Sequence, residues 1–187
     1  VRRVFEEALP GWVSRTVTWG ESAPLLAVLD GEDLESTRIR VAYYEGWQEA
    51  ARLIEGRWPA EPAEAGIDME IALPLEAAIG LGLGVGDMLV LDQRGWETSV
   101  PIRARVTALV AGQDEADPYW MAPSPLRVDS SSQWHIETNA LTTRGSFLRA
   151  AVGYVPQTRS LLGWRVLFDP ERLPYSDEQY RADSRYL

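Results

Sequence analysis

Residues capable of chemistry fall in four places along this chain. Gly80, Gly82, Gly84 and Gly86 alternate through Gly80-Leu81-Gly82-Leu83-Gly84-Val85-Gly86-Asp87. Glycine-rich turns cradle phosphates when they join a strand to a helix N-terminus and end in Gly-Lys-Ser/Thr. Here they follow a helical pattern and no Lys closes the run, so a structural turn is expected, with Gly82, Gly86 and Asp87 at its centre. Asp114, Glu115 and Asp117 offer hard oxygen ligands but lack the spacing and glycine of an EF-hand loop, which predicts a solvated acidic loop and leaves cation binding open. His135 follows Ser130-Ser131-Ser132 and Trp134, a nucleophile near a base in composition only. No G-x-S-x-G elbow and no third triad member accompany them. The reading assigns no catalytic, cofactor-binding or metal-ligating residue. Among eight tryptophans, Trp58, Trp96, Trp120 and Trp134 lie in loop-like segments, and they are the candidate surface for a partner or ligand.

Composition narrows the classes further. All 18 basic residues are Arg and 28 residues are acidic, for a net charge of −10 over 187 residues. Such a chain repels phosphate backbones, so no nucleic-acid partner is expected. With no Cys and one His, thiolate nucleophiles, Cys-ligated zinc and mechanisms needing two histidines are excluded. The longest apolar runs, such as Ala23 to Leu29, are far shorter than a membrane-spanning helix, and Val1 to Glu7 lacks the apolar core of a signal peptide. The stretch reads as a soluble fragment.

The elements that must position these residues are strands more than helices. Thr37 to Tyr44 alternates and is rich in β-formers. Gln48 to Ile54 carries helix formers closed by Gly56, which predicts a short helix. Trp58 to Gly66 holds two prolines and no periodicity, hence a loop. Ile71 to Leu73 is a short strand. A helix follows from Pro74, with Leu75, Ala78, Ile79 and Leu83 on one face and the glycines stopping it. Met88 to Leu91 reads as a buried strand, Gln93 to Gly95 as a turn, and Val100 to Val110 as a long strand with Arg103, Arg105 and Thr107 on its wet side. Gly112 to Ser132 is a surface excursion, with structure resuming near Trp134. Leu161 to Phe168 is a late strand. Helices are expected at Val1 to Leu9 and from Ser176 to Asp183.

Leu53-Ile54-Glu55-Gly56-Arg57-Trp58-Pro59, then Met69 to Pro74, then Ala77 to Asp87, resemble in order and spacing the extracytoplasmic MacB-like core of FtsX/MacB-type ABC transporter permeases. That family shows a GR-P element (here Gly56, Arg57 and Pro59), an acidic residue before a short strand, an Ala-rich helix and an LGL-VGD turn. Asp117-Pro118-Tyr119-Trp120 is similar to a D-P-x-W segment of some members. The resemblance covers roughly residues 53 to 120.

It implies an α+β fold: a membrane-proximal mixed α/β lobe from 1–54 and 136–187, with a smaller β-rich lobe, 55–135, inserted. It also implies a non-catalytic domain without cofactors, on the extracytoplasmic face of the bacterial membrane. The partners it implies are a separate ATP-binding subunit reached through membrane helices, and a second permease copy or an extracellular protein. If the domain sits between two membrane helices, the two chain ends should lie on one side of it. A secreted carbohydrate- or peptide-binding module is the competing reading, and a hydrolase is third.

Overall fold

The computed structural model describes residues 13–92, 100–113, 119, 126, 128–132, 135–152 and 160–168. Ten strands dominate them: β1 (Val13–Glu21), β2 (Leu25–Leu29), β3 (Glu32–Tyr44), β4 (Ala51–Gly56), β5 (Met69–Pro74), β6 (Met88–Asp92), β7 (Ile102–Gly112), β8 (Val128–Ser132), β9 (His135–Leu141) and β10 (Leu161–Phe168). The helices are short. They are α1 (Trp47–Ala50), α2 (Leu75–Leu81) and α3 (Arg144–Ser146), which runs on as a π-helical turn, Phe147–Val152. The fold is β-rich. No described helix is long and apolar enough to cross a membrane.

The chain forms two compact units, residues 1–17 with 164–187, and residues 18–163. Within the first, the Ser14 hydroxyl donates to the Leu167 carbonyl at 2.9 Å, so β1 and β10 meet although 153 residues separate the two positions.

In the second unit the strand pairings close a ring. β3 pairs with β2, β2 with β6, β6 with β7, β7 with β5, β5 with β9, and β9 returns to β3. Two of these pairings, β5 with β7 and β3 with β9, are parallel and the rest antiparallel. Closure gives each member a partner on both sides along part of its length and points alternate side chains inward. Leu25, Ala27, Ile39, Val41, Met69, Ile71, Leu89, Leu91, Ile102, Ala104, Val106 and Ala140 accordingly form one buried cluster. Across the closing pair, Arg40 donates through Nε to Glu137 at 2.7 Å.

Several expectations hold. β3, β5 and β10 cover the strands expected at Thr37 to Tyr44, Ile71 to Leu73 and Leu161 to Phe168, β7 covers Ile102 to Val110 of the long strand, and residues 57–68 form no regular element. Others need correction. The helix expected over Gln48 to Ile54 stops at Ala50, and Ala51–Gly56 is strand β4, because β7 offers it a free backbone edge at Ala108 to Gly112. Ile79 is 72% exposed; α2 buries Ala77 and Ala78 instead. Gly80 lies inside α2, and the positive-φ stops are Gly82 and Gly86 rather than all four glycines. β6 alternates between buried and half-buried residues. Val100 is exposed outside β7, whereas Thr107, expected on the wet side, is buried. Val128–Ser132, expected within the excursion, is a strand paired with β9. The helices expected near both termini, the turn at Gln93 to Gly95, the acidic trio at 114–117, Trp96, Trp120, Trp134 and the side chain of His135 lie outside the described residues.

Candidate functional site

The long strand β7 is where the separated motifs meet. Between the pairs Ile71–Val106 and Ala72–Ala108 the parallel β5–β7 register slips by one residue, leaving Thr107 as a bulge. A bulge frees backbone groups that a regular ladder would consume. Here they are taken by the two glycine motifs. Arg57 N donates to the Thr107 carbonyl at 2.8 Å, and Gly86 N donates to the Val106 carbonyl at 2.8 Å. Val106 N in turn donates to the Asp87 carbonyl at 2.9 Å.

The identities of the motif residues follow from this crowding. Gly56 ends β4 at φ 81°, and a Cβ there would overlap the Thr107 carbonyl oxygen and stand 3.0 Å from Val85 Cγ2. Gly86 has φ 105° in the turn before β6. Both backbones favour glycine, Gly56 for space as well as conformation. Gly82 caps α2 at φ 67°. The Asp87 carboxylate accepts from Gly84 N at 2.8 Å and so fixes the turn between α2 and β6. Pro59 is buried.

The loop that follows Gly56 is fastened by charge. Arg57 Nη1 and Nη2 each donate to one oxygen of Glu70 at 2.6 Å, and Ala60 N donates to the same carboxylate at 3.0 Å. The Arg57 hydrogen bonds hold the Glu70 pKa below the usual carboxylate value, against the opposing effect of burial. Farther along, Glu64 accepts from Arg105 at 2.7 and 3.2 Å, and Asp68 from Arg103 N at 2.8 Å. Arg105 lowers the Glu64 pKa in the same way. Glu61 reaches the start of α3, where it accepts from the Thr143 hydroxyl, Ser146 N at 3.1 Å and Arg149 Nη2 at 2.6 Å. Burial opposes its ionisation, but the bonds from Thr143, Arg149 and Ser146 outweigh it and its pKa falls.

Of the expected partner surface, Trp58 is half-buried. Its ring meets Trp47 edge-on, centroids 5.4 Å apart. Gly56, Arg57, Gly86 and Asp87 thus converge on one bulge, while Gly82 caps α2 and Pro59 is buried in the loop after Arg57. Glu61, Glu64 and Thr143, which complete the assembly, went unremarked in the sequence because none belongs to a spaced motif, and Thr107 was expected only as a wet-side strand residue. Among the described residues, no group of three or more His, Asp or Glu side chains is placed to hold a metal ion.

No protein-family model matches this chain, and no curated protein matches it. Among solved structures it is similar to the periplasmic region of MacB from Actinobacillus actinomycetemcomitans, at 11% identity and a TM-score of 0.47, over 95% of this chain. It spans 66% of that chain's length, just under two thirds. A permease-protein domain from Porphyromonas gingivalis is similar at 14% identity and a TM-score of 0.44, over 99% of this chain and 75% of that one.

Proposed function

We propose that this chain is a non-catalytic extracytoplasmic domain of an FtsX/MacB-type ABC transporter permease. In this role it couples movement of membrane helices, driven by a separate ATP-binding subunit, to export or to control of an extracellular partner. The observation that carries the reading is the convergence at Thr107. Three motif pieces that resemble the family in order, Gly56-Arg57-x-Pro59, Glu70 with its strand, and the Gly82 to Asp87 turn, build one hydrogen-bonded unit. A role for them in framework rather than chemistry fits a domain that transmits movement. The α+β division into 1–54 with 136–187 toward the membrane and 55–135 away from it belongs to the same proposal.

The stretch holds no cysteine, so a single Glu76→Cys on the exposed side of α2 can be introduced into the full-length protein. Modification by a membrane-impermeant maleimide in intact spheroplasts, in protein that sediments with membranes and copurifies with an ATP-hydrolysing chain, is the expected result. Labelling only after lysis overturns the reading. Release of the protein into the medium supports the secreted binding module instead.

A further inference from the structure

An open cleft of about 610 Å³ lies on the second unit, lined on one side by residues from the end of β3 through α1 and on the other by Thr142, Thr143 and Arg144. Its size is within the range of small-ligand sites. Both walls are held from behind. Trp47 of the first wall packs against Trp58, and Thr143 of the second donates to Glu61. Thr142 is tied by its hydroxyl to the Glu70 carbonyl at 2.7 Å and by its N–H to the Ala42 carbonyl at 2.9 Å. The walls are therefore fixed before any ligand arrives, which spares a ligand the cost of ordering them.

The lining side chains divide: Glu45 accepts from Thr18 N and Oγ1 at 3.2 and 2.8 Å, whereas three polar ones are uncommitted among the described residues. Elsewhere on this unit Arg40, Arg57, Arg103, Arg105 and Arg149 each hold a carboxylate. Arg144, at the cleft, makes no side-chain hydrogen bond or ion pair among the described residues, and neither do Gln48 and Glu49 on the facing wall. Arg38 and Arg52 also hold no carboxylate among the described residues, but of these three only Arg144 lines the cleft. A simple anion meeting Arg144 would also feel Glu45 and Glu49 across the cleft, and a simple cation meeting Glu49 would feel Arg144. A ligand bearing one charge of each sign satisfies both walls without adding net charge, with the Gln48 amide free to donate and accept between them.

We infer that this cleft binds a short zwitterionic peptide, its carboxylate on Arg144 and its ammonium on Glu49. The inference is independent of the membrane reading, because it rests on the isolated unit's own walls.

The test is calorimetric titration of the 187-residue chain with trialanine at neutral pH. Saturable binding at one site per chain is expected, weakened about tenfold or more when both ends are blocked by acetylation and amidation. Arg144→Gln should abolish the difference between the free and amidated C-terminus, and Glu49→Gln that between the free and acetylated N-terminus. Both side chains are exposed, and unchanged melting of the variants separates loss of binding from loss of fold. Absence of saturable binding in the millimolar range, binding indifferent to blocking, or binding unmoved by both substitutions overturns the inference. So does preferential binding of a neutral trisaccharide.

Discussion

Arg57 and Glu70 form a two-pronged ion pair, both guanidinium nitrogens standing 2.6 Å from separate carboxylate oxygens. The Arg57 side chain is 60% exposed and that of Glu70 only 8%, so water screens the cation but not its partner. The larger cost should therefore follow loss of the carboxylate, which also holds Ala60 N. Glu70→Ala is expected to destabilise by about 1–3 kcal/mol. A double-mutant cycle with Arg57→Ala should show coupling above about 0.5 kcal/mol by denaturant unfolding, and strict additivity would refute the pairing.

Lowered carboxylate pKa values at Glu61, Glu64 and Glu70 set an acid limit on stability. A group whose pKa is lowered by folding stabilises the fold above its unfolded value and loses that contribution as pH falls through the folded value. From these three groups, melting temperature should be level from about pH 7 to about pH 5.5 and decline below the ordinary carboxylate value. Glu61→Gln and Glu70→Gln should each make that decline shallower. An unaltered acid slope in both variants would remove these groups from the account.

Gly56 and Gly86 share a positive φ but differ in surroundings, and that difference predicts a ranking. A Cβ at Gly86 meets nothing within 4 Å, so Gly86→Ala should cost about 1–2 kcal/mol from backbone conformation alone. Gly86→Val should exceed about 1 kcal/mol as well. Gly56→Ala adds collision with the Thr107 carbonyl and should cost more than Gly86→Ala, by about 1–3 kcal/mol. Equal melting temperatures for the two Ala variants would contradict the crowding at the bulge.

Tyr119 stands in the segment expected to be a surface excursion, yet it is buried and its hydroxyl donates to the Glu45 carbonyl at 3.1 Å. Tyr119→Phe should cost about 0.5–1.5 kcal/mol and Tyr119→Ala about 3–5 kcal/mol. A neutral Tyr119→Ala would mean that the ring is not an anchor.

What could be read in the sequence was local. Alternation exposed β3 and β7, and the glycine run picked out Gly86 and Asp87, because strand period and positive-φ glycines leave marks over a few residues, whereas Gly56 and Arg57 were marked by the family resemblance. Ala51 to Ile54 reads as helix by propensity, but a vacant backbone edge on β7 overrides propensity. The ring of strands left no such mark, since its parallel closures join residues far apart. Glu64 and Arg105, 41 residues apart, or Glu61 and Arg149, 88 apart, pair only once the ring exists. The cleft is of the same kind: Arg144 and Glu49 are ordinary surface residues until α1 and α3 face each other.

The pairing of β3 with β9 also fixes a delay in the life of the chain. Arg40 and Glu137 stand 97 residues apart, and β9 is the strand that closes the ring on both β3 and β5. At roughly 5 to 20 residues per second, the ribosome needs about 5 to 20 seconds to make that interval. Throughout it, one edge of β3 has no partner strand, and Ile39 and Val41 lack the final wall of their enclosure. A nascent chain of this domain is thus most vulnerable to strand-mediated aggregation while residues 45–135 are being synthesised, and a pause placed before His135 would prolong that exposure.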